Sequence, residues 1–195
     1  MTAPERPLPL ISVVVPIHNE AGYLPHAVNR LLDELETVAA RTEVILAENG
    51  STDETARVAR SLAQARPSLR LVQLAQADYG AAMRAGFLEA EGDWVVNFDI
   101  DYFSGAFLQQ VLHIGAQADI VLASKRAPGA KDRRSRFRRL ATRVFNLLLK
   151  TLFGSRVSDT HGMKAVRRQI IAAIVPSVES TLDLFDTELV LRAER

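Results

Sequence analysis

The chain has 195 residues, 48% hydrophobic and 24% charged, with 24 Lys and Arg against 23 Asp and Glu for a net charge of +1. That length supports one domain with a buried core, and the balance is that of a globular protein, not a disordered one. Cysteine is absent, which excludes a disulfide framework and a thiolate metal centre, and no run of about 18 apolar residues is present to span a bilayer. A single domain over 1–195 is expected, with residues 1–9 a flexible, proline-containing N-terminus that lacks the charged-then-apolar order of a signal sequence. A reducing, cytoplasmic setting is compatible with this composition.

In chain order, Ile11 to Val15 reads as a strand buried on both faces of a parallel sheet. Gly22 to Ala40 is predicted helical, with Leu24, Val28, Leu31, Leu32, Leu35 and Val38 on one face. Glu43 to Ala47 is a second strand, and Asp53 to Ala65 a helix that Ser51-Thr52-Asp53 would cap. Leu69 to Leu74 is a third strand, Gly80 to Ala90 a helix of small residues and Trp94 to Phe98 a fourth strand. A helix begins near Ser104 and a strand follows at Ile120 to Ser124. This alternation predicts an α/β domain, a mostly parallel central sheet with helices on both faces. The second half is less regular. Ala127 to Arg134, with Pro128 and Gly129, reads as a loop. Arg136 to Phe153 reads as a basic-then-apolar helix, Asp159 to Val166 as short and irregular, and Arg167 to Ile174 as helix. Pro176 to Ser180 breaks the chain before a last segment, Leu182 to Arg195.

Charge is unevenly spread. Lys125 to Arg143 holds nine basic residues and one acid, Asp132, leaving 15 basic and 22 acidic residues elsewhere. Three readings of the block stand: a solvated helical face, a phosphate site, or, with the apolar residues after Arg143, a segment for an anionic membrane surface. A nucleic-acid surface is disfavoured because only Phe137 and Phe145 interleave with the charges.

Ligands of open α/β sheets bind outside the carboxyl ends of the strands. Three polar clusters fall at such ends: Pro16-Ile17-His18-Asn19-Glu20, Glu48-Asn49-Gly50-Ser51-Thr52-Asp53 and Asp99-Ile100-Asp101. If their strands are neighbours, the clusters line one crevice. Each also has a local reading: Gly50 to Asp53 starts a helix in any protein, Glu20 suits the first turn of a helix, and Asp-x-Asp serves as a solvated strand-end turn. Two carboxylates one residue apart, where a buried strand emerges, can hold Mg²⁺ or Mn²⁺ against a diphosphate. A dinucleotide-binding Gly-x-Gly-x-x-Gly turn and a P-loop lysine are both missing after the first strand. His18, His26, His113 and His161 fit no zinc spacing.

Taken together and in order, these motifs resemble a family 2 glycosyltransferase of the GT-A fold. Val13 to Glu20 is similar to that family's opening strand and Pro-x-x-Asn-Glu turn, and Glu48 to Asp53 to its Asp-Asp-Gly-Ser-Thr-Asp segment. Gly80-Ala81-Ala82 with Gly86 resembles the helix before the metal strand, and Asp99-Ile100-Asp101 its Asp-x-Asp element. Ser124-Lys125-Arg126, Asp159 to Lys164 and Phe185 to Leu189 resemble later segments of the dolichol-phosphate-mannose-synthase-like branch, which glycosylates polyprenyl phosphates. The chain departs from the pattern at Glu48-Asn49, at Phe103, where a glutamine is common, and in ending soon after Leu189, as a C-terminally short form would.

The resemblance implies an inverting, metal-dependent transfer of a hexose, mannose or glucose, from a nucleotide-diphospho-sugar such as GDP-mannose or UDP-glucose to a polyprenyl phosphate. The setting would be peripheral, at the cytoplasmic face of a membrane. It implies Pro16, His18 and Glu20 at base and ribose, Glu48 near the base, and Asp99 facing the nucleotide. Asp101, with Asp99, would ligate Mg²⁺ or Mn²⁺; Arg126 and Arg138 would hold phosphate, and Asp159 would lie near the reacting sugar. A lipid phosphate is already an anion and needs little base assistance, whereas a hydroxyl acceptor needs a carboxylate base, for which Asp159 is the candidate. Two alternatives stay open: a soluble hydroxyl acceptor, and a nucleotide-sugar-binding domain with little turnover.

Overall fold

The computed structural model describes residues 8–123, 162–180 and 184–194. Its elements are β1 (Leu10–Ile17), α1 (Leu24–Glu36), β2 (Arg41–Asn49), α2 (Thr55–Ala65), β3 (Leu69–Leu74), α3 (Tyr79–Glu89), β4 (Trp94–Asn97), α4 (Gly105–Ile114), β5 (Ile120–Leu122), β6 (Lys164–Arg167), α5 (Arg168–Ile174) and α6 (Phe185–Ala193). The loop expected at Ala127 to Arg134, the helix at Arg136 to Phe153 and the residues Arg126, Arg138 and Asp159 lie outside the described residues.

Six strands form one sheet in the order β3-β2-β1-β4-β6-β5. β1 pairs in parallel with β2 (Val13 opposite Val44) and with β4 (Val13 opposite Val96), and β2 pairs in parallel with β3. β6 runs antiparallel to both β4 and β5. The expectation of a mostly parallel sheet therefore holds, with one reversed strand. The structure corrects the expected irregular segment at Asp159 to Val166: Lys164–Arg167 is a strand, and the helix after it starts at Arg168. The strand's periodicity is hidden because its first residue is a lysine that is nevertheless buried, while Arg167 lays its guanidinium 4.1 Å from the Trp94 ring centre.

Alternate residues of β1 feed two cores. Ile11, Val13, Val15 and Ile17 join Leu24, Val28, Leu31 and Leu35 of α1 and the buried face of α4. Val14 joins Ile45, Met83, Phe87, Phe185 and Leu189, under α3 and α6. A strand covered on both faces is expected to be near-continuously apolar, and in this one Ser12 is the single polar residue, its hydroxyl bonded to Glu43. The first helix starts at Leu24, later than Gly22, because the Glu20 carbonyl accepts from the Tyr23 and Leu24 amides in a preceding turn. Glu20 therefore lies outside the helix, and its reading as a first-turn acid is overturned. The second helix likewise starts at Thr55, with Glu54 at its N-cap position and no side-chain cap bond; Asp53 Oδ1 accepts from the Thr55 amide at 2.9 Å in the turn just before it.

Small residues let α3 approach β1: a Cβ on Gly86 would stand 2.6 Å from Val14 Cγ1. At the far end, burial raises the Glu188 carboxyl pKa. It is outweighed by hydrogen bonds from Ser180, Arg192 and the Glu179 amide, which bring it down to about 2. These bonds tie α6 to the segment before it.

Gly86→Leu overpacks the α3–β1 contact and is expected to cost about 2 kcal/mol in urea denaturation, after about 1 kcal/mol of helix-propensity gain; an unchanged midpoint would show that the contact is slack. A second expectation concerns pH. Because Glu188 has a lower pKa folded than its ordinary 4.5, its contribution is full above that value and lost as pH falls toward 2. Glu188→Gln should therefore flatten the acid limb of stability against pH in that window, and a limb of unchanged slope would contradict it.

Candidate functional site

Because β2, β1 and β4 are adjacent and parallel, the turns after Asn49, Ile17 and Asn97 emerge side by side at one end of the sheet. All three predicted clusters meet there.

The turn after β1 is stitched to the turn after β2. Asn19 takes a left-handed conformation (φ 56°), uncommon outside glycine. Its amide donates to Ser51 Oγ at 3.0 Å, and its Oδ1 accepts from the Thr52 amide at 2.8 Å. His18 Nδ1 lies 2.8 Å from the Asn49 carbonyl, and Nε2 lies 3.1 Å from Asn19 Nδ2. These partners assign the ring's proton: Nδ1 donates to the carbonyl, and Nε2 accepts from the amide group. The Glu20 amide donates to Thr55 Oγ1 at 2.7 Å and the Ala21 amide to Asp53 Oδ2 at 3.2 Å. The Thr55 hydroxyl and amide bonds, with that of Ala21, hold the Asp53 carboxyl below its ordinary value. Pro16 is still within β1, opposite Ala47, and half-buried.

Glu48, 1% exposed, accepts from the Ser51 amide through Oε1 at 2.6 Å. It shapes a turn in which Gly50 has φ 58° and in which any Cβ would overlap the backbone of Gln76 and Ala77. Asn49 Oδ1 accepts from the Asp78 amide at 2.6 Å, and Asp78 in turn caps α3 by accepting from the Ala81 amide at 2.9 Å. The second turn is thus fastened to the start of α3.

The third turn is four residues long. The Asp99 amide donates to the Tyr102 carbonyl at 3.3 Å, and the Tyr102 amide returns a bond to the Asp99 carbonyl at 3.1 Å. Phe98 and Ile100 are buried in the α1 and α4 core, whereas Asp99 and Asp101 are exposed. The apolar anchors thereby present two carboxylates outward on one short turn. That donor set fits a hard divalent cation, which completes its shell with water and ligand phosphates. Among the described residues no group of three or more His, Cys, Asp or Glu gathers around a point. Phe103 is half-buried with the Arg30 guanidinium 5.4 Å from its ring centre and offers no donor atom.

Behind the third turn lies a polar group in the core. Lys164 Nζ donates to Asn97 Oδ1 at 2.7 Å and sits 2.9 Å from Asp186 Oδ1. Asp186 Oδ2 accepts from the Tyr79 hydroxyl at 3.1 Å.

The Glycosyl transferase family 2 model matches residues 12–175. The chain belongs to that family. A relative from Sodalis glossinidius (strain morsitans), "Undecaprenyl-phosphate 4-deoxy-4-formamido-L-arabinose transferase", is 32% identical over 179 residues, covering 90% of this chain and 54% of its own. The chain spans about half the length of the curated relatives it matches. Two solved structures share the fold. S. aureus TarS 1-349 in complex with UDP superposes with a TM-score of 0.63 at 19% identity, over 94% of this chain and 53% of that one. The mannosyltransferase PcManGT from Pyrobaculum calidifontis, in complex with GDP-Man and Mn²⁺, gives 0.56 at 21% identity, over 87% and 50%. The fold is therefore GT-A, as the motif order implied.

Of the expected family 2 site residues, Pro16, His18, Glu20, Glu48, Asp99 and Asp101 are brought to one end of the sheet, while Arg126, Arg138 and Asp159 lie outside the described residues. Asn19 is the asparagine of the Pro-x-x-Asn-Glu turn, but no role is assigned to it from the sequence. Its signal is an asparagine just past a strand and before a helix, the place where a left-handed residue is needed. Lys164 and Asp186 fall within the Asp159 to Lys164 and Phe185 to Leu189 segments already singled out, but nothing local in the sequence pairs them.

Asn19 yields a test of the stitch. Asn19→Ala loses the hydrogen bonds and strains the backbone, and is expected to cost about 2–3 kcal/mol in denaturation. Asn19→Gly relieves the strain and should cost about 1 kcal/mol less. Equal losses for the two would show that the left-handed backbone carries no cost.

Proposed function

We propose that this domain transfers a sugar, with inversion, from a nucleotide-diphospho-sugar to a polyprenyl phosphate. The observation that carries the reading is the exposed Asp99/Asp101 pair, set beside the His18–Glu20 and Glu48–Asp53 turns on adjacent parallel strands. In this reading Pro16, His18, Glu20 and Glu48 border the nucleoside. Asp99 faces the nucleotide, and Asp101 with Asp99 holds Mg²⁺ or Mn²⁺. When bound, the metal supplies positive charge against the diphosphate leaving group, and such charge stabilisation is commonly the main source of rate enhancement. Arg126 and Arg138 are assigned to phosphate because a guanidinium fork binds two oxygens at once.

The acceptor assignment draws support from the matched relatives, whose names specify undecaprenyl phosphate, and from the basic stretch Lys125 to Arg143. A phosphate oxygen of the acceptor attacks the anomeric carbon as the bond from that carbon to the diphosphate oxygen breaks. The attacking oxygen is already anionic, so Asp159 orients the sugar in this reading without taking a proton. Placement against a cytoplasmic membrane face follows from the acceptor and the basic stretch; among the described residues no helix is long and apolar enough to cross a membrane. For the sugar, a hexose donor (GDP-mannose or UDP-glucose) is the first choice by motif order, and the relatives' names add a formamido-arabinose as the competing donor class.

Titration calorimetry with GDP, UDP, GDP-mannose and UDP-glucose, each with Mn²⁺ and with EDTA, tests the donor half. One nucleotide series is expected to bind with Mn²⁺ and to weaken at least about tenfold, roughly 1.4 kcal/mol, in Asp101→Ala. Binding that is indifferent to EDTA and to the substitution overturns the metal assignment. Incubation with labelled donor and undecaprenyl phosphate tests the acceptor half: label should enter the organic phase, and label confined to water would reassign the acceptor to a soluble hydroxyl.

A further inference from the structure

The buried ion pair under the third turn has no role in the proposed transfer. Lys164 is 1% exposed and Asp186 6% exposed. Taking two charges out of water is costly, and apolar replacements of similar volume often leave stability unchanged or raised. Stability alone therefore gives no reason for the pair, and its consequence must be sought in what it holds.

It holds two of the three turns. On one side Lys164 Nζ binds Asn97 Oδ1, and Asn97 is the last residue of β4, two positions before Asp99. Asn97 and Lys164 are also paired across the strands. Asn97 faces the α3 and α6 side, whereas Phe98 and Ile100 seat the turn in the α1 and α4 core. The carboxylate turn is thus gripped from both faces of the sheet, by apolar contact on one and a buried charge on the other. On the other side Asp186 accepts from Tyr79, the first residue of α3, beside Asp78, whose amide goes to Asn49 in the second turn. One carboxylate at the start of α6 therefore reaches both the Asp99–Tyr102 turn and the Glu48–Asp53 turn.

We propose that Lys164 and Asp186 are positioning residues that fix the Asp99–Asp101 turn against the Glu48–Asp53 turn, setting the spacing across which a metal-bound nucleoside diphosphate is held. The ligand rests on the proposed function; the mechanical coupling does not. It predicts that stability and site geometry separate. Each single variant, Lys164→Met or Asp186→Leu, strands a buried charge and lowers the denaturation midpoint. The double variant K164M/D186L removes both charges and should return the midpoint to near wild type.

In that double variant, hydrogen exchange of the Asp99 and Tyr102 amides should accelerate by about tenfold or more, with the β2–β3 amides unchanged. Affinity for Mn²⁺ with GDP or UDP, whichever the wild type takes, should fall by about tenfold. A double variant with native midpoint, native exchange at 99–102 and native affinity overturns the proposal. If the wild type takes neither nucleotide, the functional reading falls, and the exchange result alone decides the coupling. Tyr79→Phe removes a single hydroxyl and leaves the core packing in place. It should speed exchange of the Asp78 amide by about threefold or more; unchanged exchange there breaks the proposed link to the second turn and overturns that half.

Discussion

Val13 pairs with Val44 on one side and Val96 on the other, and all three strands run the same way. From that register the site follows. β1 runs on to Ile17 beside Glu48 of β2, while β4 ends at Asn97 beside Val14, so three turns distant in sequence leave the sheet at the same end. The register is held because β1 is buried on both faces, and a slip of one residue would turn Val14 and Val13 into each other's core. The opposite end is locked separately: Ser12 Oγ donates to Glu43 Oε1 at 2.5 Å, and Arg70 reaches Glu43, Glu89 and Glu91. The polar end that can bind a ligand is thereby set on a base that is fixed.

Within the site, rigidity and exposure are divided between residues. Asn19, Glu48, Asn49 and Thr55 commit hydrogen bonds to the chain itself, and this lets short turns keep fixed shapes. Asp99 and Asp101 are displayed outward because Phe98 and Ile100 are buried. A pair of carboxylates on a fixed turn suits a cation that keeps much of its shell for water and ligand phosphate. Glu48 is more constrained than its motif suggests, since its Oε1 takes the Ser51 amide and so shapes the turn.

The first half of the chain is readable in the sequence because its periodicities are clean. Val13 to Val15, Val44 to Ala47 and Trp94 to Phe98 are near-continuous apolar runs, and the α1 face repeats at helical spacing. The starts of α1 and α2 lie two residues later than expected, since side-chain identity does not reveal that the Glu20 carbonyl closes a turn before α1. β6 escapes for a deeper reason. A four-residue strand that opens with lysine and closes with arginine carries no strand pattern of its own; it exists because β4 and β5 need an antiparallel partner and because Asp186, some twenty positions onward, neutralises Lys164. Such a contact has no local signature.

The same contact bears on how the site divides its tasks. The exposed aspartates can meet a cation because the charge needed to order their turn is buried elsewhere and already balanced. In the proposed reading, Lys164 placed at the surface would compete with a cation for Asp99 and Asp101. Placed under the sheet and paired with Asp186, it can bind Asn97 while its charge is cancelled from the site's point of view. The cost of burying that pair falls on the core under α3 and α6, where Phe87, Phe185 and Leu189 provide compensating apolar contact. Order in the binding turn is thus drawn from a part of the fold that no ligand need touch.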